Sequence, residues 1–384
     1  MRDLRDRHLD RTGDYFDWPL FIATMIVMVI GEVNLYSATS VYQKSRADLY
    51  VSQLYFLVAG GVIATFMFVV DYRHFERWAY FLYGFGVLTL GLVFVLGKDI
   101  RGSSRWINVG GFGFQPSEFM KIWLALALAK YFHEAPRSDQ PKTLRELGIP
   151  AAMTIVPFFL ILRQPDLGTA LIVGLVGFSI TALNRVRWRS IAALVGTIGV
   201  ALPIAYSNLQ GYQLKRIETF LNPESDVTGA GYHAHHARIA IGNGGVFGQG
   251  YMKGSQNQYY FLPDQYTDFP FPVMAEDWGF VGSVVLILVY AFIVLWGIRI
   301  AALSRDRFGA VAAIGVSGMI FWHAFFNLGM VTGVLPVVGV TLPLFSYGGS
   351  SVITILMGLG LLLNISGRRP HIAPLRTERM TFAR

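Results

Sequence analysis

Acidic side chains are concentrated at the end of the chain's long polar segment, where the next apolar run begins. Residues 255–280 contain four of them: Asp264, Asp268, Glu276 and Asp277. A carboxylate at a membrane edge costs desolvation energy and is usually retained for a function. Within hydrogen-bond reach of a hydroxyl, a carboxylate acts as a general base. The segment therefore indicates proton-transfer chemistry at a membrane surface.

Asp268 is the best candidate for that base. Asp264 follows Pro263 in a predicted turn, where Asp side chains commonly bond to their own backbone. Glu276 and Asp277 stand at the start of a predicted span, where negative charge stabilises the helix end. Asp268 has neither structural role, and it lies among aromatic residues that can exclude water.

Four further polar clusters lie at the outward ends of predicted membrane spans. They occupy residues 101–107, 114–121, 164–169 and 342–351. The loops on the opposite side carry mainly basic anchors. Because the clusters converge on one side, we predict a single outward-facing polar cavity.

Each cluster also has a simpler structural interpretation. Capping of a helix N-terminus is sufficient to account for Asp166. Trp106 suits an interfacial anchor as well as a substrate contact. Glu118 and Lys121 are three residues apart and share one helix face. An ion pair facing lipid would be costly, so we expect these two side chains to face the cavity.

The elements that position these residues are long apolar runs. The 384 residues are 53% hydrophobic and 15% charged, whereas a soluble domain carries roughly a quarter charged residues. Ten runs approach the length of about 20 residues that crosses a bilayer. They are 18–38, 53–70, 79–97, 117–132, 147–162, 167–184, 190–206, 278–298, 309–331 and 349–366. We predict an all-α polytopic membrane protein with ten transmembrane helices in one domain over residues 1–367.

The distribution of Lys and Arg predicts the orientation. Basic residues are concentrated at both termini and in alternate short loops, and such residues mark the cytoplasmic side. Both termini, including a basic tail over residues 368–384, are therefore predicted to be cytoplasmic. The long loop over residues 207–275 is then extracytoplasmic. The net charge of +8 requires no nucleic acid, since basic residues flank membrane spans in any case.

Metal and thiol chemistry have little support in the sequence. The absence of cysteine excludes disulfides, thiol nucleophiles and thiolate metal sites. His233, His235 and His236 lack an accompanying carboxylate set, so we expect a solvated or phosphate-facing loop, not a metal site. We assign no cofactor, although a divalent cation is left open. His323 and Asn327, four residues apart, are predicted to be interhelical hydrogen-bond partners.

Several motifs carry a family resemblance. Residues 102–106, 115–121, 164–169, 261–269 and 342–351 resemble, in order and topological position, the SEDS family of bacterial cell-wall proteins. Residues 327–339 are similar to its elongation branch more than to its division branch. The resemblance covers residues 18–367.

The resemblance implies a peptidoglycan glycosyltransferase that polymerises lipid II at the outer face of the bacterial cytoplasmic membrane. It also implies a partner, a class B penicillin-binding protein that crosslinks the strands. The essential acid of the family's Thr-Asp-Phe motif corresponds to Asp268. Trp106, Glu118 and Lys121 correspond to other positions that the family needs for activity. The predicted substrate-binding residues are these three together with Arg105, Asp166 and Thr267. Pro270 and Pro272 depart from the family pattern and leave the backbone after Asp268 open.

Two other classes of function compete with this one. A transporter of lipid-linked precursors also suits many helices around a polar cavity, and a scaffold for the transpeptidase would need no chemistry. Transporters usually place ionisable residues near the midplane of repeated halves. Here such residues gather at the outer rim and no repeat is visible, with Glu32 in the first span as the exception.

Overall fold

A computed structural model of the protein describes residues 16–41, 48–100, 103–109, 112–136, 143–184, 229–262 and 264–369, with isolated positions between 186 and 220. The described chain is mostly helical. The helices are α1 (Trp18–Thr39), α2 (Leu49–Val69), α3 (Tyr72–Leu96), α4 (Pro116–Glu134), α5 (Gly148–Leu162), α6 (Leu167–Ala182), α7 (Ala230–Asn243), α8 (Ser255–Gln258), α9 (Pro270–Ala302), α10 (Arg307–Thr332) and α11 (Gly349–Gly367). A 3-10 turn, Leu144–Leu147, precedes α5.

Six of these helices are long and apolar enough to cross a membrane, namely α1, α2, α3, α9, α10 and α11. The helices α5 and α6 are apolar but shorter, and α4 carries charged side chains. Among the described residues, nine of the ten predicted spans coincide with a helix. The seventh, over residues 190–206, lies mostly outside the described residues. A helical protein with several membrane spans is confirmed, and the count of ten stays a prediction.

The core lies where α10 packs against α4, α6 and α9, with α11 packed on α2. Small residues let these backbones approach, as is common between membrane helices. A Cβ on Gly315 of α10 would lie 2.7 Å from the Cβ of Ala125 in α4. Gly360 of α11 lies directly against the backbone of Ala64 in α2. This close packing holds α4, α6, α10 and α11 as a compact frame for the polar groups between them.

The connection between α3 and α4 is a small antiparallel sheet, which the all-α prediction missed. Its strands are β1 (Lys98–Ile100), β2 (Ser103–Val109) and β3 (Phe112–Phe114), in the order β1-β2-β3. Ile107 pairs with Phe114 across the β2–β3 ladder. Gly113 faces Trp106, and a Cβ there would lie 3.1 Å from the indole ring. The sheet delivers Arg105 to residues 164–166, at the start of α6.

Helix α9 begins at Pro270 and is broken at Gly279. Proline suits the first turn of a helix because its missing N–H would lack an intrahelical partner there, so Pro270 starts α9 without strain. Gly279 has φ 67° and ψ −161°. The loop after α7 packs into this break, where Phe280 N donates to Gly245 O over 2.9 Å. The predicted start of this span near residue 278 coincides with the break, and the helix that precedes it, from Pro270, was not predicted.

The beginning and the end of the bundle meet at one buried carboxylate. Asp17, which caps α1, accepts a hydrogen bond from Trp296 Nε1 of α9 over 2.8 Å. It also accepts from Ser366 Oγ of α11 and pairs with Arg369 over 2.9 Å. Three separate helices are thus joined at the side of the bundle where α1 begins.

Candidate active site

Three helix N-termini meet at one place, those of α4, α6 and α11. The side chain of Gln115, just before α4, donates to Asp166 Oδ2 at the start of α6 over 3.1 Å. The backbone N–H of Gln115 donates to Ser350 Oγ in the first turn of α11 over 3.2 Å. Helix N-termini carry partial positive charge and attract anions. The structure therefore brings three of the predicted polar clusters into one electropositive region.

Asp166 both caps α6 and binds Arg105. Its Oδ1 accepts from Thr169 N over 3.2 Å, as the capping interpretation predicts. The same oxygen lies 3.6 Å from a guanidinium nitrogen of Arg105. Arg105 also donates to the carbonyl oxygens of Gln164 and Pro165. Its side chain remains 26% exposed, so Arg105 is held in place and still open to a ligand.

Lys121 lies at the centre of a buried polar cluster. Its Nζ is 2.8 Å from Glu118 Oε2 and 2.7 Å from His323 Nε2. The Lys121 side chain has no exposed surface, and Glu118 is almost as deeply buried. Taking a lysine out of water is costly unless it is paired and hydrogen-bonded, and both conditions are met here. The predicted inward orientation of this ion pair is what the structure shows.

Asp268 is half-buried in a tight turn just before α9. The carbonyl of Asp264 accepts from Thr267 N and Asp268 N over 3.1 and 3.2 Å, and Thr267 Oγ1 donates to the same carbonyl over 3.3 Å. Tyr347 N donates to Tyr266 O over 2.8 Å, which ties the turn to the loop before α11. The backbone of Asp268 is thus held firmly, and the residue as a whole is half-buried.

The segment over residues 339–341 joins Asp268 to the other groups. A Cβ on Gly339 would lie 3.3 Å from Asp268 Oδ2, a tight contact that the carboxylate could accommodate only by shifting. Gly168, in the first turn of α6, lies against the carbonyls of Val338 and Gly339. The carbonyl of Thr341 accepts from His323 Nδ1 over 3.1 Å. One short segment therefore contacts the Asp268 carboxylate, the start of α6 and the Lys121 cluster.

Glu276 and Asp277 serve the loop before α9. Glu276 is fully buried and accepts from the backbone N–H of Gln256 and the hydroxyl of Ser255, both over 3.1 Å. Asp277 accepts from Ser37 Oγ over 2.6 Å and from Met252 N over 3.2 Å. Both were expected at the start of a span. They lie at the end of the first part of α9, directly before the break at Gly279, and anchor residues 252–257 to the helix.

The three histidines lie on α7, so the expectation of a loop there is wrong. The His233 ring stacks on Phe269 with centroids 5.8 Å apart. His236 Nδ1 lies 2.8 Å from Gln256 Oε1, and its ring stacks on Phe261. Within the part of the chain that the structure describes, no group of three or more histidine, aspartate or glutamate side chains is placed to hold a metal ion. His233 and His236 brace α7 against the segment that carries Asp268.

Sequence reasoning missed the connecting residues of the site. Ser350 donates to Gly113 O over 3.1 Å and so fastens the sheet to α11. Gly339 provides the space beside Asp268. Neither has a local signal, because each is defined by a backbone that approaches from a distant part of the chain. The motifs over residues 327–339 and 342–351 include these two residues, but neither motif singled them out.

Fold and site together define a multi-pass membrane protein whose carboxylate and basic groups gather between helix N-termini. The family model FTSW_RODA_SPOVE, described as a cell cycle protein family, matches residues 17–371. The chain belongs to this family, and the resemblance read from its motifs is confirmed.

Individual relatives agree with this assignment. The peptidoglycan glycosyltransferase MrdB of Escherichia coli K12 is 38% identical over 353 residues, which cover 91% of this chain and 94% of MrdB. A solved chain from work on structural coordination of polymerization and crosslinking by a peptidoglycan synthase complex superimposes with a TM-score of 0.80. It is 32% identical, with 93% of this chain and 99% of that chain covered. The rod shape determining protein RodA of Thermus thermophilus gives a TM-score of 0.70 at 32% identity, with 93% and 98% covered.

Proposed function

We propose that this chain is a peptidoglycan glycosyltransferase that polymerises lipid II at the outer face of the cytoplasmic membrane. The observation that carries the proposal is the position of Asp268. Its carboxylate borders Gly339, in the segment that also contacts the buried Lys121 cluster and the start of α6. The relative MrdB is named a peptidoglycan glycosyltransferase, and the match covers 94% of its length. This similarity supports the reaction class.

Asp268 acts as the general base in this proposal. It takes the proton of the acceptor sugar hydroxyl, and the hydroxyl oxygen bonds to the anomeric carbon of the donor. The bond between that carbon and the pyrophosphate breaks, and the lipid pyrophosphate leaves with the electron pair. Attack from the face opposite the leaving group inverts the donor carbon.

Positive groups stabilise the charge that develops on the leaving pyrophosphate. Preorganised charges of this kind act most strongly where water is excluded. Arg105 is the accessible cation, and Asp166 orients it. Lys121, held by Glu118, adds positive charge from within the bundle. Trp106, which follows Arg105 on β2, offers an apolar ring to the lipid-linked sugar, and Thr267 keeps the Asp268 turn closed.

The topology and partners complete the proposal. Residues 1–367 form one transmembrane domain, both termini are cytoplasmic, and residues 368–384 form a basic tail. A class B penicillin-binding protein crosslinks the strands that this chain produces. Similarity to a chain of a peptidoglycan synthase complex supports such a partner.

One observation favours the transporter alternative. Both carboxylate oxygens of Glu32 in α1 are buried and have no hydrogen-bond partner among the residues that the structure describes. Ionisable groups inside membrane spans often mark a translocation path. A single such residue without a repeated partner is a weaker signal than the assembled site around Asp268.

The test uses purified full-length protein, reconstituted in vesicles with labelled lipid II. Formation of glycan polymer supports the glycosyltransferase. Movement of lipid II between leaflets without polymer would instead identify a transporter. If neither occurs with the transpeptidase present, the scaffold interpretation replaces the proposed function.

A further inference from the structure

His323 and Asn327 present two polar groups on one face of α10. They are four residues apart, so their side chains are neighbours on that face. Both are buried. Asn327 Nδ2 donates to Val340 O over 2.7 Å, and His323 Nδ1 lies 3.1 Å from Thr341 O. The two side chains therefore hold consecutive residues of the segment that borders Asp268.

The hydrogen bonds of His323 determine its tautomer. A carbonyl oxygen only accepts, so the proton of the imidazole must be on Nδ1, facing Thr341. In the neutral ring, Nε2 then carries a lone pair. Lys121 Nζ, which only donates, lies 2.7 Å from that nitrogen. A second proton on the ring would set an N–H against the ammonium group, so the geometry requires the neutral form.

Lys121 is thereby held from two sides. One of its three N–H groups is directed to Glu118 and another to His323. Glu118 lies on the same helix as Lys121, three residues away, and its carboxylate neutralises the charge of the ammonium group. His323 lies on a different helix and is itself oriented by Thr341. The position of the ammonium group relative to the 339–341 segment therefore depends on His323.

We propose that His323 is a positioning residue for the reaction: it accepts a hydrogen bond from Lys121 and links that cation to the backbone beside Asp268. This inference rests on the proposed glycosyltransferase function. His323 itself has no contact with the reacting atoms in this account. Its effect is exerted through the placement of Lys121 when charge develops on the leaving pyrophosphate.

Two amide variants separate the two hydrogen bonds. In His323→Asn the amide nitrogen takes the place of Nδ1, so the bond to Thr341 is retained and the acceptor for Lys121 is lost. In His323→Gln the longer side chain brings its amide oxygen to the place of Nε2 and restores that acceptor. We expect His323→Asn to lower kcat for lipid II polymerisation about 10-fold, with KM nearly unchanged. Such a loss corresponds to about 1.4 kcal/mol of transition-state stabilisation. We expect His323→Gln to recover most of that loss.

The outcomes that overturn the inference are specific. Equal losses in the two variants, or a rise in KM alone, would show that His323 has only a packing role. An unchanged kcat in His323→Asn would remove it from the reaction altogether. Wild-type protein and Asp268→Asn are measured in the same assay, because absence of polymer with wild-type protein would count against the proposed function instead.

A thermal unfolding measurement tests the contact without relying on polymerisation. A double-mutant cycle of His323→Asn with Lys121→Met reports the coupling between the two side chains. Clear coupling is expected from a 2.7 Å contact. Additive effects of the two substitutions would show that the contact does not hold Lys121, and the inference would fail whatever the activity.

Discussion

Asn327 donates a hydrogen bond to the backbone carbonyl of Asp268 over 3.0 Å, although the two residues are 59 positions apart in the chain. The same amide group donates to Val340 O. Both N–H groups of a buried side chain are thus used to join the turn of Asp268 to the segment beside it. Because these contacts involve the backbone of Asp268, replacing its side chain leaves them in place.

Replacing Asp268 should therefore remove activity and preserve the fold. Asp268→Asn keeps the shape of the side chain and removes the base, so we expect polymerisation to fall by about 10²-fold or more. The variant should still insert in the membrane and copurify with its transpeptidase. Asp264→Asn is the matched control and should be milder. Near-normal polymerisation by Asp268→Asn, together with complete loss in Glu276→Gln, would show that the wrong carboxylate has been chosen.

Gly339 allows a sharper test of the space beside Asp268. Its φ is 72°, and a Cβ would meet Asp268 Oδ2 at 3.3 Å. In Gly339→Ala, left-handed backbone strain costs about 1–2 kcal/mol. The Asp268 carboxylate must also shift by a few tenths of an ångström to admit the new Cβ, so kcat should fall because the base is displaced from its reacting position.

Gly333→Ala is the control for that substitution. Gly333 has nearly the same conformation, with φ 79°, but it faces the side chain of Arg238 and not the site. It should show a similar loss of thermal stability with kcat near wild type. Equal kcat losses at Gly333 and Gly339 would mean that general strain, and not the placement of Asp268, limits activity.

The carboxylate that joins α1, α9 and α11 should matter for stability. Asp17 is 1% exposed, whereas Arg369 is 15% exposed. Removing one partner of a buried ion pair leaves the other charge uncompensated and costs about 3 kcal/mol. Asp17→Asn should therefore lower the unfolding temperature in detergent and leave kcat unchanged at a temperature where it is folded.

An exposed ion pair provides the comparison for Asp17. Lys130 and Glu134 are 3.9 Å apart, and Glu134 is 53% exposed. Such pairs contribute about 0–1 kcal/mol, so Glu134→Gln should have little effect. Equal shifts in the two variants would contradict the importance given to burial.

The orientation of the chain is tested with reporter fusions. Basic residues mark the cytoplasmic side, so fusions at Arg187 and Arg305 should report the cytoplasm and a fusion near Ser225 should report the outside. A fusion near Ser225 that reports the cytoplasm would overturn both the predicted seventh span and the outward placement of the site.

Hydropathy was sufficient to predict most helices, because apolar runs of membrane length leave few alternatives. It did not predict where α9 begins. Pro270 and Pro272 look like helix breakers in sequence, yet Pro270 occupies the first turn, where proline is favoured. The break comes later, at Gly279, and is caused by a loop from another part of the chain. The sheet was missed because two of its strands have three residues each.

In the site, too, local sequence predicted some features and contacts between distant segments determine the others. The types of Asp268, Lys121 and Glu118 indicate their chemistry, and the spacing of the last two predicts their ion pair. The contact of Lys121 with His323 joins residues 202 positions apart, and no local pattern reports it. Gly339 lies beside the carboxylate of Asp268, which is 71 positions earlier in the chain. Contacts between distant segments, and not residue types, are what the sequence left open.

The contact between Asp17 and Arg369 also limits how many times the chain between them can cross the membrane. Residues that touch lie on the same side of a membrane, so the chain between them must cross it an even number of times. Nine predicted spans coincide with helices among the described residues, and nine is odd. A tenth span, which the sequence predicts over residues 190–206, would make the number even, and this span stays a prediction. A salt bridge between the two ends of the bundle thus constrains the path of everything between them.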